Sequence, residues 1–504
     1  MSTLPARASL VCCAAALLVA CSDRDVAPGA GSPFAVRGVI EGFYGEPYDL
    51  AARARIIRFI GERGMNAYVY APKNDPLHRD EWREPYPANQ LAEFRELARV
   101  GAESGVRFYF AIAPGITYDA DDPADFDRLA TKLASIHREG VTGFALLFDD
   151  LLDPTSTALD PELQADLTAR VADLVAGFGE ADLWFIGHVY AGLGPDLAAN
   201  RGLFAALSPL PPQVYYDAYA RAVPPALPIM WTGPGVFSTR LTRADAQGFR
   251  DFAHGRRVVV WDNFPANDAL TREVFLGPYL GRDPELAEAV DGIVLNLMNQ
   301  PHASLVSLAT AARYMADPAS YDAEAAWSDA LLDVGGEAAD ALHLFAEQHR
   351  GHPVLAGADE AVELGARLAA AFETPADASA VAELRAYLAA LRGNEAELAA
   401  RLADERLREE IAPWSAKLTL LADAALAGLD ALDGAAAREA YEAKRDAARA
   451  EPWAVAETVS SAGLAALSGG HVNPPVDRFA ELFAAIDARL GSPSASGRVA
   501  TRVR

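Results

Sequence analysis

"GFALLFDD", residues 143–150, runs through five consecutive apolar residues and then meets two carboxylates, Asp149 and Asp150. A strand with one wet face would alternate apolar and polar residues, so an unbroken apolar run indicates a strand covered on both faces, as in a parallel sheet. Seven further runs of this texture follow or precede it: "AVRGVIEG" (35–42), "NAYVYAPK" (66–73), "RFYFAIAPG" (107–115), "DLWFIGHVY" (182–190), "LPIMWTGP" (227–234), "RVVVWDN" (257–263) and "DGIVLNLMN" (291–299). Amphipathic stretches lie between them, among them 50–63, 91–104 and 123–139, with apolar residues at helical spacing. Alternating strands and helices imply right-handed crossovers and a parallel sheet. Eight such units fit an α/β fold of the (β/α)8 barrel type, whose usual size is roughly 250 residues. "EGFYGEP" (41–47) stands where a dinucleotide-binding sheet would carry its Gly-rich turn, and it does not match that fingerprint.

Beyond about residue 318 the texture changes to Ala, Leu, Glu and Arg, with few β-branched residues. An all-α helical bundle is expected over 318–490, its helices broken near "RGN" (392–394) and "APW" (412–414). Residues 35–317 are assigned to the barrel, and the polar 491–504 to a disordered tail.

The N-terminus places Arg7 before an apolar run over 8–20, too short to span a bilayer and of the kind that heads exported proteins. It ends "LVAC", which resembles the lipobox of bacterial lipoproteins, with Cys21 as the residue to be lipidated; a plain signal peptide with a chance cysteine is the alternative. Residues 1–20 are thus expected to be a signal peptide and 21–34 a flexible tether. All three cysteines lie at positions 12, 13 and 21, so removal of the leader leaves one thiol, and neither a disulfide nor a thiolate metal site within the mature chain. Lys and Arg total 44 against 70 Asp and Glu, a net charge of -26 that repels nucleic-acid backbones and anionic lipid. Nucleic acid is therefore excluded as a partner, and membrane contact is expected only through a lipid anchor to the cell envelope.

In a barrel of this type the C-terminal strand ends carry the chemistry. Here they hold Glu41, Gly42 and Tyr44; Lys73 and Asn74; Asp149 and Asp150; His188 and Tyr190; Trp231; Trp261, Asp262 and Asn263, with Asp268 close behind; and Asn296 and Asn299. Aromatic faces, amides and carboxylates suit a sugar. Each also has a structural reading: Trp231 and Trp261 as packing, Lys73 as a surface cation or a Schiff-base lysine, His188 as a buried hydrogen-bonding residue, the Asp pair as a helix cap or cation site. "HRD" at 78–80 echoes a kinase catalytic loop, but no phosphate-binding loop accompanies it and that reading is set aside. Successive strand residues face opposite sides, so adjacent carboxylates cannot straddle a glycosidic bond unless the chain turns there. Substrate-assisted hydrolysis fits the pair better: the sugar's 2-acetamido group attacks its own anomeric carbon, one carboxylate steers the amide and the other protonates the leaving oxygen.

Six ordered motifs, "GVIEGFYGEPY" (38–48), "NAYVYAPKNDPLHRDEWREPY" (66–86), "ALLFDD" (145–150), "WTGP" (231–234), "VWDNFPANDA" (260–269) and "FLGPY" (275–279), resemble glycoside hydrolase family 84, the β-N-acetylglucosaminidases that include O-GlcNAc hydrolases. The resemblance covers about 35–316. It implies a retaining exo-enzyme acting on terminal β-linked GlcNAc of a glycan or glycoprotein through an oxazoline, with no cofactor or metal. It implies that Asp149 orients the acetamido nitrogen and that Asp150 is the general acid/base. It further implies that the Gly42 carbonyl and Lys73 bind hydroxyls, Tyr44 lines the pocket and Tyr190 lies near the acetamido group. Trp261 would wall the acetyl pocket beside Asn263, Asp268 would take O4 and O6, and Asn296 the O3 side. "IGHV" before Tyr190 departs from the "CPTE" of the animal members. Burial and a charged neighbour are expected to raise the pKa of Asp150. A surface glycan-binding lipoprotein without turnover and an endo-acting hexosaminidase are the competing expectations.

Overall fold

The computed structural model describes residues 31–491 apart from Leu152, Pro154, 193–209, 373–376, Ala435 and Ser460. The expected leader, Cys21 and residues 492–504 of the expected tail lie outside the described residues, as does most of the expected tether.

Eight parallel strands close into a barrel in chain order: β1 (Val36–Glu41), β2 (Ala67–Tyr70), β3 (Arg107–Ile112), β4 (Gly143–Leu147), β5 (Asp182–Ile186), β6 (Ile229–Trp231), β7 (Val258–Asp262) and β8 (Gly292–Asn296). β8 pairs back onto β1 with Ile40 opposite Asn296. Helices cross over outside. Those at Pro123–Arg138 and Pro161–Ala176 begin on Asp122 and Asp160, whose side chains accept the first free N–H groups, followed by proline at the first helical position. Residues 263–291, between β7 and β8, hold only a short 3-10 turn, Leu286–Glu288, where strand–helix alternation predicts a helix.

The strand period divides each run between two cores. Ile40, Val69, Ala145, Leu147, Trp184, Met230, Val259, Trp261 and Val294 fill the barrel interior. Val39, Tyr68, Phe144, Leu146, Phe185, Trp231, Val260 and Leu295 pack outward against the helices. The outward set disposes of several strand-end candidates. Glu41 is ion-paired to Arg53 at 2.8 Å and accepts the Tyr68 hydroxyl; Asp262 holds Arg282 at 2.6 Å and accepts the Tyr279 hydroxyl; Trp231 stacks on Phe249 at 4.6 Å. Having the wrong parity, they belong to the barrel–helix layer and not to the active face.

The C-terminal region is helical, but not with the expected breaks. Ala378–Arg401 runs unbroken through Gly393, and Glu405–Leu432 through Pro413. The turn falls at 402–404, where Asp404 caps the second helix. Packing overrides local propensity here: Asn394 donates to the Ala341 carbonyl at 2.8 Å, and the buried Trp414 donates to the Arg272 carbonyl of the β7–β8 connection at 2.8 Å. A small antiparallel pair, β9 (Glu457–Thr458) with β10 (Val476–Asp477), interrupts the helices. The region seats on the β7–β8 connection, where Trp327 donates to the Leu276 carbonyl at 2.6 Å, and on the loop after β8, where Glu410 accepts the His302 and Ala303 N–H groups. Truncating either tryptophan to alanine would cost about 3–5 kcal/mol. Among the described residues no helix is long and apolar enough to cross a membrane.

Candidate active site

The inward parity continues past the strand ends and builds the site. Following Ala145 and Leu147, Asp149 points into the barrel mouth; by the same alternation Ile40 leads to Gly42, and Val259 and Trp261 to Asn263. Strand parity alone would turn Asp150 away. β4 has ended at Leu147, however, and Asp150 adopts φ +54°, a left-handed conformation that costs a non-glycine residue about 1–3 kcal/mol, least for Asp and Asn. The turn brings both carboxylates into one cavity of about 370 Å³. Gly42, Tyr44, Lys73, Asp149, Asp150, Tyr190, Trp261, Asn263, Asp268 and Asn296, all ten residues of the expected sugar site, line it.

Lys73 is the electrostatic centre. Its ammonium donates to Asp149 Oδ2 and stands 3.6 Å from Asp150 Oδ2. Burial works to lower its pKa, but the two carboxylates overcome this and hold it above the ordinary value, so Lys73 stays charged. Asp150 Oδ1 accepts the Tyr190 hydroxyl at 2.6 Å and Oδ2 the Tyr44 hydroxyl at 2.9 Å. Burial pushes the Asp150 pKa up, as expected, but the Lys73 charge and the two hydroxyls pull harder, and the net result lies below the ordinary carboxylate value. The expectation of a raised pKa therefore fails, because the charges facing Asp150 include a lysine and not only its acidic neighbour. Asp149 differs. It is buried, and its Oδ1 has no hydrogen-bond partner among the described residues.

The far wall is an amide relay. Asn263 Oδ1 accepts the Trp261 indole N–H at 3.0 Å and the Asn296 amide at 2.9 Å, while its own amide donates to the Val236 carbonyl. Asn296 Oδ1 accepts the Gly42 N–H. The relay fixes the Trp261 ring against Gly42, where a Cβ would lie 2.2 Å from Trp261 Cζ2, so only glycine fits. Asp268, on the β7–β8 connection, accepts the Tyr44 N–H at 2.9 Å; burial raises its pKa. Asn299 and Asn74 brace the same turn, donating to the Tyr44 carbonyl and accepting the Gly45 N–H.

His188 falls outside this cavity. It is buried against Gln164, which accepts its N–H at 3.2 Å, and burial lowers its pKa to about 4. Ile186, Thr232, Val236, Phe237, Ala269 and Leu467 also line the cavity and were not among the expected residues. Ile186 and Thr232 share the inward parity and could have been found by extending it. Leu467 comes from the helical region, where the Phe237 N–H donates to its carbonyl at 3.1 Å; nothing in its sequence surroundings marks it. Among the described residues no group of three or more His, Cys, Asp and Glu is placed to hold a metal ion.

Two carboxylates side by side in a deep cavity, with an indole wall and converging amides, suit the cleavage of a sugar linkage, and the fold and site define a barrel glycoside hydrolase. A family model for beta-N-acetylglucosaminidase matches residues 37–347. The chain belongs to that family, glycoside hydrolase family 84. It is similar to the protein O-GlcNAcase of Rattus norvegicus, 30% identical over 305 residues, 58% of this chain and 32% of that protein. The Mus musculus protein O-GlcNAcase is 31% identical over 287 residues, 55% of this chain and 29% of the relative. The chain thus matches about a third of the length of these relatives. Among solved structures, an O-GlcNAc hydrolase variant of Thermobaculum terrenum superposes with TM-score 0.73 at 25% identity, covering 91% of this chain and 96% of the other. The structure of CpGH84B superposes with TM-score 0.71 at 26% identity, covering 84% and 75%.

Proposed function

We propose that this protein is a retaining exo-β-N-acetylglucosaminidase that removes terminal β-linked GlcNAc, O-GlcNAc-type linkages included, by substrate-assisted catalysis. The observation that carries the reading is the buried, unpartnered Asp149 Oδ1 beside the hydrogen-bonded Asp150. A buried acceptor without a donor is costly, and an acetamido N–H would satisfy it. Held this way, the amide turns its oxygen toward the anomeric carbon and forms the oxazoline, while Asp150 gives its proton to the departing oxygen. Asp150 then takes a proton from the water that opens the oxazoline, so configuration is retained. Lys73, the Gly42 carbonyl, Asp268 and Asn296 bind the ring hydroxyls, and Trp261 stacks along the acetyl group.

A series of aryl glycosides with mono-, di- and trifluorinated acetamido groups tests the mechanism. Each fluorine weakens the amide oxygen as a nucleophile, so kcat should fall steeply along the series. A flat series would mean a protein nucleophile or a direct water attack. For localisation we propose export and lipid anchoring at Cys21. Replacement of Cys21 by Ser should release the protein from the membrane fraction and abolish incorporation of labelled palmitate; unchanged partition would rule the anchor out.

A further inference from the structure

The stretch "HRD" (78–80) found no role in the reading of the sequence, yet its arginine stands behind the acid. Arg79 is buried and does not line the cavity. Its Nη2 donates to the backbone carbonyl of Asp150 at 2.9 Å, and its Nη1 to the hydroxyl of Tyr44 at 3.0 Å. We propose that Arg79 is a positioning residue for the general acid, locking the left-handed turn at Asp150 and orienting Tyr44 so that its proton is committed to the carboxylate.

The first part follows from the backbone. Asp150 faces the cavity only because its φ is +54°; relaxed to a strand conformation, it would turn away from the side occupied by Asp149. A conformation of this kind persists when its surroundings over-determine it, and the guanidinium on the Asp150 carbonyl is the contact that fixes the peptide itself. The second part follows from donor inventory. Arginine has no acceptor, so where Arg79 meets Tyr44 the phenol oxygen accepts. The phenol proton is then left for Asp150 Oδ2, 2.9 Å away, which sets the direction of that hydrogen bond.

The anchor is itself stiff. His78 Nδ1 lies 2.8 Å from the Ala111 carbonyl, and the Ala113 N–H donates to the His78 carbonyl at 3.0 Å, tying the loop to β3 and the residue following it. Asp75 accepts the hydroxyls of Tyr70 and Tyr86 and the Leu77 N–H. The two bonds leave from separate nitrogens held in one rigid plane, a geometry that the single ammonium of lysine does not reproduce.

The inference rests on Asp150 being the acid, and leaving-group dependence separates the two claims. Arg79→Met, Arg79→Lys and Asp150→Ala are compared with wild type on aryl and alkyl β-N-acetylglucosaminides graded by the acidity of the leaving alcohol. Arg79→Met should lower kcat about tenfold or more on alkyl and methoxyphenyl glycosides, about threefold or less on the dinitrophenyl glycoside, and leave KM within about threefold. Arg79→Lys retains the charge and most of the volume, folds where Met does not, and should show the same dependence in weaker form. A uniform loss across the series, or none, in the folded Arg79 variants would overturn the role while Asp150→Ala still showed its own dependence. If Asp150→Ala showed no such dependence, the acid assignment would fall, and the role of Arg79 with it.

Discussion

The molecule withdraws two acidic pairs from solvent, wholly or in part, and treats them oppositely. At the barrel mouth, Asp149 and Asp150 face Lys73, with Arg79 on the Asp150 backbone and two phenols on its carboxylate. At the seam between barrel and helical region, Glu273 and Glu360 meet no cation within ion-pair distance among the described residues. Each accepts one backbone N–H, from Val459 and Gly351, and each leaves one oxygen unpartnered. Burial raises Glu273 from an ordinary 4.5 to about 8, with Glu457 adding to it, and pushes Glu360 up with the help of Glu273. Asp150 moves the other way. Burial alone therefore does not decide whether an acid is charged; the cation facing it does.

The largest effects belong to the mouth. Asp150→Ala should lower kcat by about 10²–10⁴ on substrates with poor leaving groups and far less on activated phenols. Asp149→Ala should lower kcat on both classes alike, because Asp149 acts on the acetamido nucleophile, which every substrate needs whatever its leaving group. Steady-state kinetics on the graded series checks this, and equal behaviour of the two variants would break the division of labour.

Lys73→Met comes next. It strips the cation from the pair, so the Asp150 pKa should rise and the basic limb of kcat/KM should move to higher pH, with activity reduced about a hundredfold. In the wild type, a bound substrate that expels water from beside Asp150 would push its pKa up. The basic limb of kcat should therefore lie above that of kcat/KM, which reports the free enzyme.

Glu273→Gln tests the seam. A carboxyl raised in the folded state holds a proton that the unfolded chain has lost, so its contribution is full below about pH 4.5 and drains away as pH rises toward 8. Denaturant unfolding should show the Gln variant more stable by on the order of 3 kcal/mol at pH 8 and unchanged near pH 4. The depressed Asp150 has the opposite sign: its stabilisation is present above 3.8 and is lost as pH falls through the lower folded value. Identical pH slopes for Glu273→Gln and wild type would erase the contrast.

Leu467→Ala, the smallest perturbation, joins the two regions. It should lower stability by about 1 kcal/mol and raise KM by about threefold, through the loosened contact with the Phe237 loop. No change in KM would mean that the helical region shapes only stability.

Much of this was readable beforehand, for a particular reason. The eight apolar runs name the barrel, and the ten expected residues that line the cavity lie on strand ends and on the loops that follow them, to which the motifs point directly. The same alternation, applied strictly, would have separated Glu41 from Gly42 and Asp262 from Trp261, since one member of each pair packs under the helices. The helices run on through Gly393 and Pro413 because a packed helix tolerates local costs that an isolated one does not.

The sequence by itself determined the barrel, the family and the inventory of the site, because strand periodicity and local motifs are short-range properties. Tertiary structure decided the rest. The left-handed turn that aims Asp150, the arginine behind it, the lysine that sets its charge and the leucine supplied by the helical region depend on residues far apart in the chain. Their effects add only once the fold brings them within hydrogen-bonding and packing distance.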